Sequence, residues 1–344
     1  MARNRKDVTK HQERIMKQKK LFEPEGPRIL THSATEYFQE CRVKWDYRYN
    51  KGIVTSEPQT ALDFGTAIHE GLEFWFTHHL AQGAVDAGVS RGAELGLNVE
   101  DLCKVQAMLE RYTEIYRDEA FEVIEVEYVF NVKLRNPQTL RHSRSFRYQG
   151  KIDGLVRQDN AYYILEHKTT SSITDKYIDA IDLKAQIARY AMAMEEEGYP
   201  IRGAIYDILE KPGIRMTQGE TEEEFEARKA ALIAKSKTGT TKAQRKEAET
   251  PDAFLERCRE KVTAESFRRI TVMFDFDRKL KAMGDLWKTA KDMMHPKIYP
   301  TSGACVSFGR VCPYINLCRA NGDMEKCGDE YTYKKANSEL ESKK

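Results

Sequence analysis

Apolar residues at 64, 68, 72 and 76 of LDFGTAIHEGLEFWFTHHL (62–80) follow a helical period. That period continues over about 97–118. THSATEYFQECRVKWDYRYN (31–50) reads as a shorter helix opened by Ser33, with Thr35 and Glu36 in its first turn. The pattern changes after residue 120. FEVIEVEYVFNVKL (121–134), SFRYQGKIDGLVR (145–157) and AYYILEHKT (161–169) are rich in Val, Ile, Phe and Tyr and predict strands. A helix over about 180–197 ends at Gly198, with Pro200 just beyond. IRGAIYDILE (201–210) is a further strand, and RITVMFDF (269–276) a last one before a helix to about 295.

Residues 211–265 are polar and carry the pattern Glu-Thr-x-x-x-Phe-x-x-Arg twice. It falls at Glu220, Thr221, Phe225 and Arg228, then at Glu249, Thr250, Phe254 and Arg257. Each Thr suits a helix N-cap followed by acids in the first turn, which predicts two similar helices. Strands and helices in this order predict an α/β fold: a central mixed β-sheet flanked by helices on both faces. A helical N-terminal region precedes it, and 211–265 is a helical, charged insertion. The expected organisation is one domain over 29–320, between a basic, flexible tail (1–28) and a polar C-terminal tail (321–344).

A chain of 344 residues with 40% hydrophobic and 32% charged content fits a globular protein. It holds no apolar run long enough for a transmembrane helix, and its first twenty residues lack the apolar core of a secretory signal. A cytoplasmic protein without a membrane partner is expected. Net charge is only +2, so bulk charge does not announce a polyanion. Its distribution says more: residues 1–20 carry eight Lys/Arg against two acids, and KSKTGTTKAQRK (235–246) is also basic. Such segments can reach phosphates, although solvated tails have the same composition.

The chemistry concentrates in Gly150-Lys151-Ile152-Asp153-Gly154 and Ile164-Leu165-Glu166-His167-Lys168. A turn centred on Asp159 and Asn160 makes paired positions sum to 319, setting Asp153 opposite Glu166. Carboxylates directly across an antiparallel pair repel, and a cation between them relieves this. Lys168 lies two residues beyond Glu166, on the same strand face. Hard oxygen donors suit Mg²⁺ or Mn²⁺. Such an ion lowers the pKa of bound water, while Lys168 orients that water and the backbone carbonyl of His167 adds a ligand. A solvated surface hairpin is the competing reading of these residues alone.

Gly-x-x-Asp followed by Glu-x-Lys resembles the core motif of the PD-(D/E)XK nuclease superfamily. Gln186 and Tyr190, one turn apart on a helix face, resemble the Gln-x-x-x-Tyr motif of its RecB-like branch. Gly65-Thr66-Ala67-Ile68-His69 resembles the branch's Gly-x-x-x-His motif, whose His is a metal ligand, and Glu127 a further acidic position. The resemblance implies catalytic roles for Asp153, Glu166, Lys168, Gln186 and Tyr190, with metal at His69, Asp153, Glu166 and the His167 carbonyl. It implies a divalent-metal DNA exonuclease on single strands or free ends, in recombination, repair or mobile-element processing, with recombination or helicase proteins as partners. A structure-selective endonuclease or nickase, and a silent DNA-binding adaptor, are the alternatives.

Four of seven cysteines fall in the last 40 residues, at 305, 312, 318 and 327. In a reducing compartment such clustering suggests metal before disulfides. Cys305, Cys312 and Cys318, with Cys41 far upstream, resemble the [4Fe–4S] set of iron–sulfur members of the branch, such as the AddB nuclease domain and CRISPR adaptation exonucleases. The x6 spacing between Cys305 and Cys312 departs from their usual x2. A local zinc site that includes Cys327 is the alternative. Cys103 and Cys258 read as ordinary buried thiols.

Overall fold

The computed structural model describes residues 28–56, 60–182, 184–236, 238–307, 310–337 and 340. The basic stretch 1–20 lies outside them. In chain order the strands are β1 (Arg28–Leu30), β2 (Ile53–Thr55), β3 (Glu122–Arg135), β4 (His142–Gln158), β5 (Ala161–Thr170), β6 (Ile201–Glu210), β7 (Phe267–Met273), β8 (Val306–Ser307), β9 (Arg310–Val311) and β10 (Tyr331–Tyr333). β1, β4, β5, β6 and β7 form a mixed sheet in that order, with β3 also paired to β4. The helices are α1 (His32–Glu40), α2 (Arg42–Trp45), α3 (Thr60–His78), α4 (Ala81–Glu94), α5 (Val99–Ile115), α6 (Asp175–Asp182), α7 (Ala185–Glu196), α8 (Glu222–Lys235), α9 (Pro251–Lys261), α10 (Phe276–Met294) and α11 (Ile315–Arg319).

Helices cover both faces of the sheet, as the element order predicts. On one face Phe38 of α1, Ile187 and Met194 of α7 and Leu286 of α10 pack on Phe130, Tyr148, Ile152 and Ile164. On the other, Ile68 and Leu72 of α3, Met108 of α5 and Phe254 of α9 pack on Val156, Leu165 and Ile205. A third, smaller core joins the two ends of the chain through Tyr47, Ile53, Tyr314, Leu317, Cys327 and Tyr331.

The β4–β5 turn fulfils its residue types: Asp159 and Asn160 take φ of 49° and 60°, the left-handed pair of a tight hairpin turn. Its register sums to 319, from Gln158↔Ala161 to Gly154↔Leu165.

Several local expectations change. The first helix is capped by Thr31, whose side chain accepts from Ala34 N–H, not by Ser33, and it breaks at Cys41 before a π-helical turn over Asp46–Asn50. α4 has no counterpart in the periodicity because its glycines read as loop. Gly88 permits close packing instead: a Cβ there would stand 2.4 Å from Leu109. Polar composition after residue 320 predicted a tail, yet β10 pairs with β2 and buries Tyr331. A three-residue strand is too short for a periodicity signal. Such a strand is held by its partner and by aromatic packing.

Candidate active site

β4 has two edges, and they are used differently. β3 pairs along one edge, from His142 to Arg157. The other edge takes β1 at Phe146–Tyr148 and β5 at Gly154–Gln158. Between them a slot opens, and Asp153 stands at its β5 end. The hairpin register, carried one step further, sets Glu166 beside Asp153, but the strands have already stopped pairing at Gly154↔Leu165. In place of a ladder bond, the His167 N–H donates to Asp153 Oδ2 at 2.7 Å. The N–H and C=O of one residue leave an extended strand by the same edge, so the His167 carbonyl also faces the slot.

On its other side Asp153 faces Glu127, between the pairs Val126↔Gly154 and Tyr128↔Ile152. Glu127 has φ 51°, uncommon for a residue with a Cβ. Tyr128 and Ile152 belong to one core, whereas Val126 and Val156, an even number of residues away, belong to the other. A regular strand keeps such residues on one face. Both strands therefore change sides here, and the two acids occupy the switch.

His69, on α3, reaches Asp153 with Nδ1 3.5 Å from Oδ1. Ligand atoms of His69, Glu127 and Asp153 all lie within 4.8 Å of one another, the only such group of three or more among the described residues. Glu166 is 3% exposed, and its carboxylate is held by the Lys168 ammonium. Lys151 binds Glu127 in the same way. Burial pushes the carboxyls of Glu127 and Glu166 up despite their lysine partners. Burial also opposes ionisation of Asp153, yet the charges of His69, His167 and Lys168 win and hold it well below the usual carboxylate range. For Lys168 burial works downward, and Glu166 and Asp153 outweigh it and raise the ammonium. Three acids around two cations in a half-buried slot form a donor set that fits a hard divalent ion.

Gln186 and Tyr190 sit on α7 with Nε2 and the hydroxyl 3.4 Å apart. Tyr190 is 6% exposed and packs edge-on against Phe130. Gly150 makes room for both rings, since a Cβ there would stand 2.5 Å from Phe130 and 3.0 Å from Tyr190. Gly65 plays the same part for α3, where a Cβ would come 3.3 Å from Thr169 on β5. The glycines of both motifs are thus close-approach positions.

Behind β5 lies a polar network that the sequence reading missed. His167 turns its ring away from Glu166 and Lys168, stacks on Phe76 and stands 3.3 Å from Asp207. Asp207, fully buried on β6, also accepts from Tyr112 and faces Arg269, which Glu119 clamps. An acid in the middle of IRGAIYDILE was the available signal, because an acid in a buried strand needs partners. At the cysteines, Cys41 ends α1, Cys305 and Cys312 flank β8 and β9, and Cys318 lies in α11. All seven cysteines are free. Burial raises the Cys312 and Cys318 thiols, and each also lies in the field of Cys41 and Cys305. Cys327 instead faces Glu330 and Asp323.

No helix among the described residues is long and apolar enough to cross a membrane. No curated protein matches the chain. A solved structure described as the crystal structure of SSO0001 is similar over 68% of this chain and 76% of that one, at 10% identity and a TM-score of 0.28, too slight a likeness to carry an argument. The family comparison is of another kind: the PD-(D/E)XK nuclease superfamily matches residues 29–319, a span that takes in β3 to β7, α3, α7 and every acid of the slot. The chain belongs to the PD-(D/E)XK nuclease superfamily, whose members are metal-dependent nucleases.

Proposed function

We propose that the protein is a RecB-like DNA exonuclease acting on single strands or free ends, in recombination, repair or mobile-element processing. The observation that carries this reading is the convergence of His69, Glu127 and Asp153 beside the Glu166–Lys168 pair. Mg²⁺ or Mn²⁺ would be held by His69, Asp153, Glu127 and Glu166, with the His167 carbonyl facing the same slot. Such an ion supplies Lewis acidity and a water of lowered pKa. The chain's own groups do the rest. The His167 N–H fixes the Asp153 carboxylate, and the Lys168 ammonium orients the attacking water and offsets charge building on the phosphate. Gln186 and Tyr190 hold the adjoining nucleotide from α7.

Purified protein with Mn²⁺ should shorten end-labelled single strands, and Lys168→Ala should lose about 10²–10³-fold in rate. Cleavage of a closed circle at the same rate would replace the exonuclease with an endonuclease or nickase. Binding without any cleavage would make the protein an adaptor.

We also propose that Cys41, Cys305, Cys312 and Cys318 hold a [4Fe–4S] cluster, four thiolates being its usual complement. Their shared neighbourhood supports this set over a zinc site built on Cys327.

A further inference from the structure

Between Glu127 and Asp153 the chain contains no Asp or Glu, yet it carries Lys133, Arg135, Arg141, Arg144, Arg147 and Lys151. Apart from Arg141, in the turn between the strands, these residues lie on the outer half of β3 and β4, a long ribbon that begins at the two acids and that β1 joins at Phe146–Tyr148. One ribbon face, with Phe130, Leu134, Phe146, Tyr148 and Ile152, is buried. The other presents Lys151, Arg147 and Lys133, since Val129↔Lys151 and Lys133↔Arg147 are paired and paired residues share a face. Arg141 and Arg144 are exposed at the tip.

The ribbon is braced. Arg135 and His142 bind the Glu196 carboxylate at the end of α7, at 2.7 and 3.0 Å. Arg147 donates from Nε to Asn131 Oδ1 at 2.6 Å, which lays its guanidinium across the strand pair. Lys133, Arg141 and Arg144 make no side-chain ion pair among the described residues. A surface lysine or arginine commonly finds an acid within reach, but here the nearest stretch of chain supplies none. At about 3.4 Å per residue, Arg144 stands roughly 30 Å from Asp153 along β4. One strand of a duplex carries a phosphate about every 3.4 Å of helix axis, so a ribbon of this length runs beside several of them.

We infer that the outer face of the β3–β4 ribbon, from Lys151 through Arg147 and Lys133 to Arg141 and Arg144, is a track for the sugar–phosphate backbone that leads a DNA strand into the slot. This rests on the nuclease reading above. The contacts are to phosphates, so the track reads no sequence. It extends recognition well past the scissile bond and makes affinity depend on substrate length.

The test compares the full chain with K133A/R141A/R144A, none of which lies in the catalytic slot. Binding of a long labelled single strand is measured over a salt series in Ca²⁺. Cleavage in Mn²⁺ is measured on that strand and on a dinucleotide. The triple variant should bind the long strand at least about tenfold more weakly and flatten the log–log salt slope by about 2, at roughly 0.7 per lost phosphate contact. Its rate on the dinucleotide should stay unchanged. Unchanged affinity and slope overturn the track, while a parent that cleaves nothing overturns the nuclease reading itself. If the variant loses dinucleotide cleavage too, K133R/R141K/R144K decides: restored long-strand binding supports the track, and failure to restore it overturns it.

Discussion

Glu127 holds a left-handed backbone conformation, which for a residue with a side chain costs about 1–3 kcal/mol. Its carboxyl is also pushed up by burial and sits opposite Asp153. Strain, desolvation and like charge at one residue make sense where a cation offsets them. Glu127→Gln keeps the shape and removes the charge. The half-saturating Mn²⁺ concentration for DNA cleavage should rise by at least about tenfold, and an unchanged Mn²⁺ curve would exclude Glu127 as a ligand. Asp207 is the opposite case. Burial works against its ionised form, but His167, Arg269 and Tyr112 hold its carboxyl below the ordinary range. The unfolded chain therefore binds the proton more readily in acid, so this stabilisation is full above about pH 4 and fades as pH falls through the folded value. In urea unfolding, Asp207→Asn should trail the parent at neutral pH, with the gap closing in acid. A gap that stays constant with pH would deny Asp207 its charge.

Single elements show where sequence patterns inform and where they stop. Two copies of Glu-Thr-x-x-x-Phe-x-x-Arg predicted two capped helices, and Thr221 and Thr250 do cap α8 and α9. Each Glu also pairs with its own Arg eight residues on: Arg228 with Glu220, and Arg257 with Glu249. The copies then diverge in a way no local pattern records. Phe254 is fully buried among α5 and the sheet, while α8 has no buried residue at all. Phe254→Ala should therefore cost about 3–5 kcal/mol, whereas Phe225→Ala should stay near the 0.5 kcal/mol or so of a surface change. Equal losses in chemical denaturation would mean that α8 is covered in solution. The β4–β5 hairpin has the same two layers. Its turn and register were legible because Asp-Asn types and strand parity are local. The slot was not, because it exists only where β1, from the far N-terminal side, takes the edge that β5 abandons. The third acid, Glu127, was reached only through the family resemblance for the same reason: its place opposite Asp153 depends on a strand pairing across some twenty-five intervening residues, with a bulge near Ile124.

At the scale of the whole molecule the two ends of the chain hold each other. β2 pairs with β10, Arg28 binds the Met293 carbonyl at 2.8 Å, and Tyr314 donates to the Ile53 carbonyl at 2.9 Å. Of the cysteines proposed for the cluster, Cys312 packs against this junction's core, and it and Cys318 lie in the field of Cys41 and Cys305. The proposed cluster would close most of the chain into one loop. Closure entropy grows only slowly with loop length but is largest for the longest loops, so the cluster should act on stability more than on chemistry. Anaerobically purified protein should be brown, and air bleaching should lower its thermal midpoint. Cys41→Ala should arrive colourless with that lower midpoint already in place, while Cys103→Ala, outside the junction, keeps its colour. A colourless parent with one zinc per chain, unaffected by Cys41→Ala, would move the site to Cys327. Because the slot is built on β3, β4, β5 and α3, the bleached protein should still cleave DNA at temperatures well below its midpoint. A loss of cleavage with no loss of stability would instead tie the junction to the substrate path.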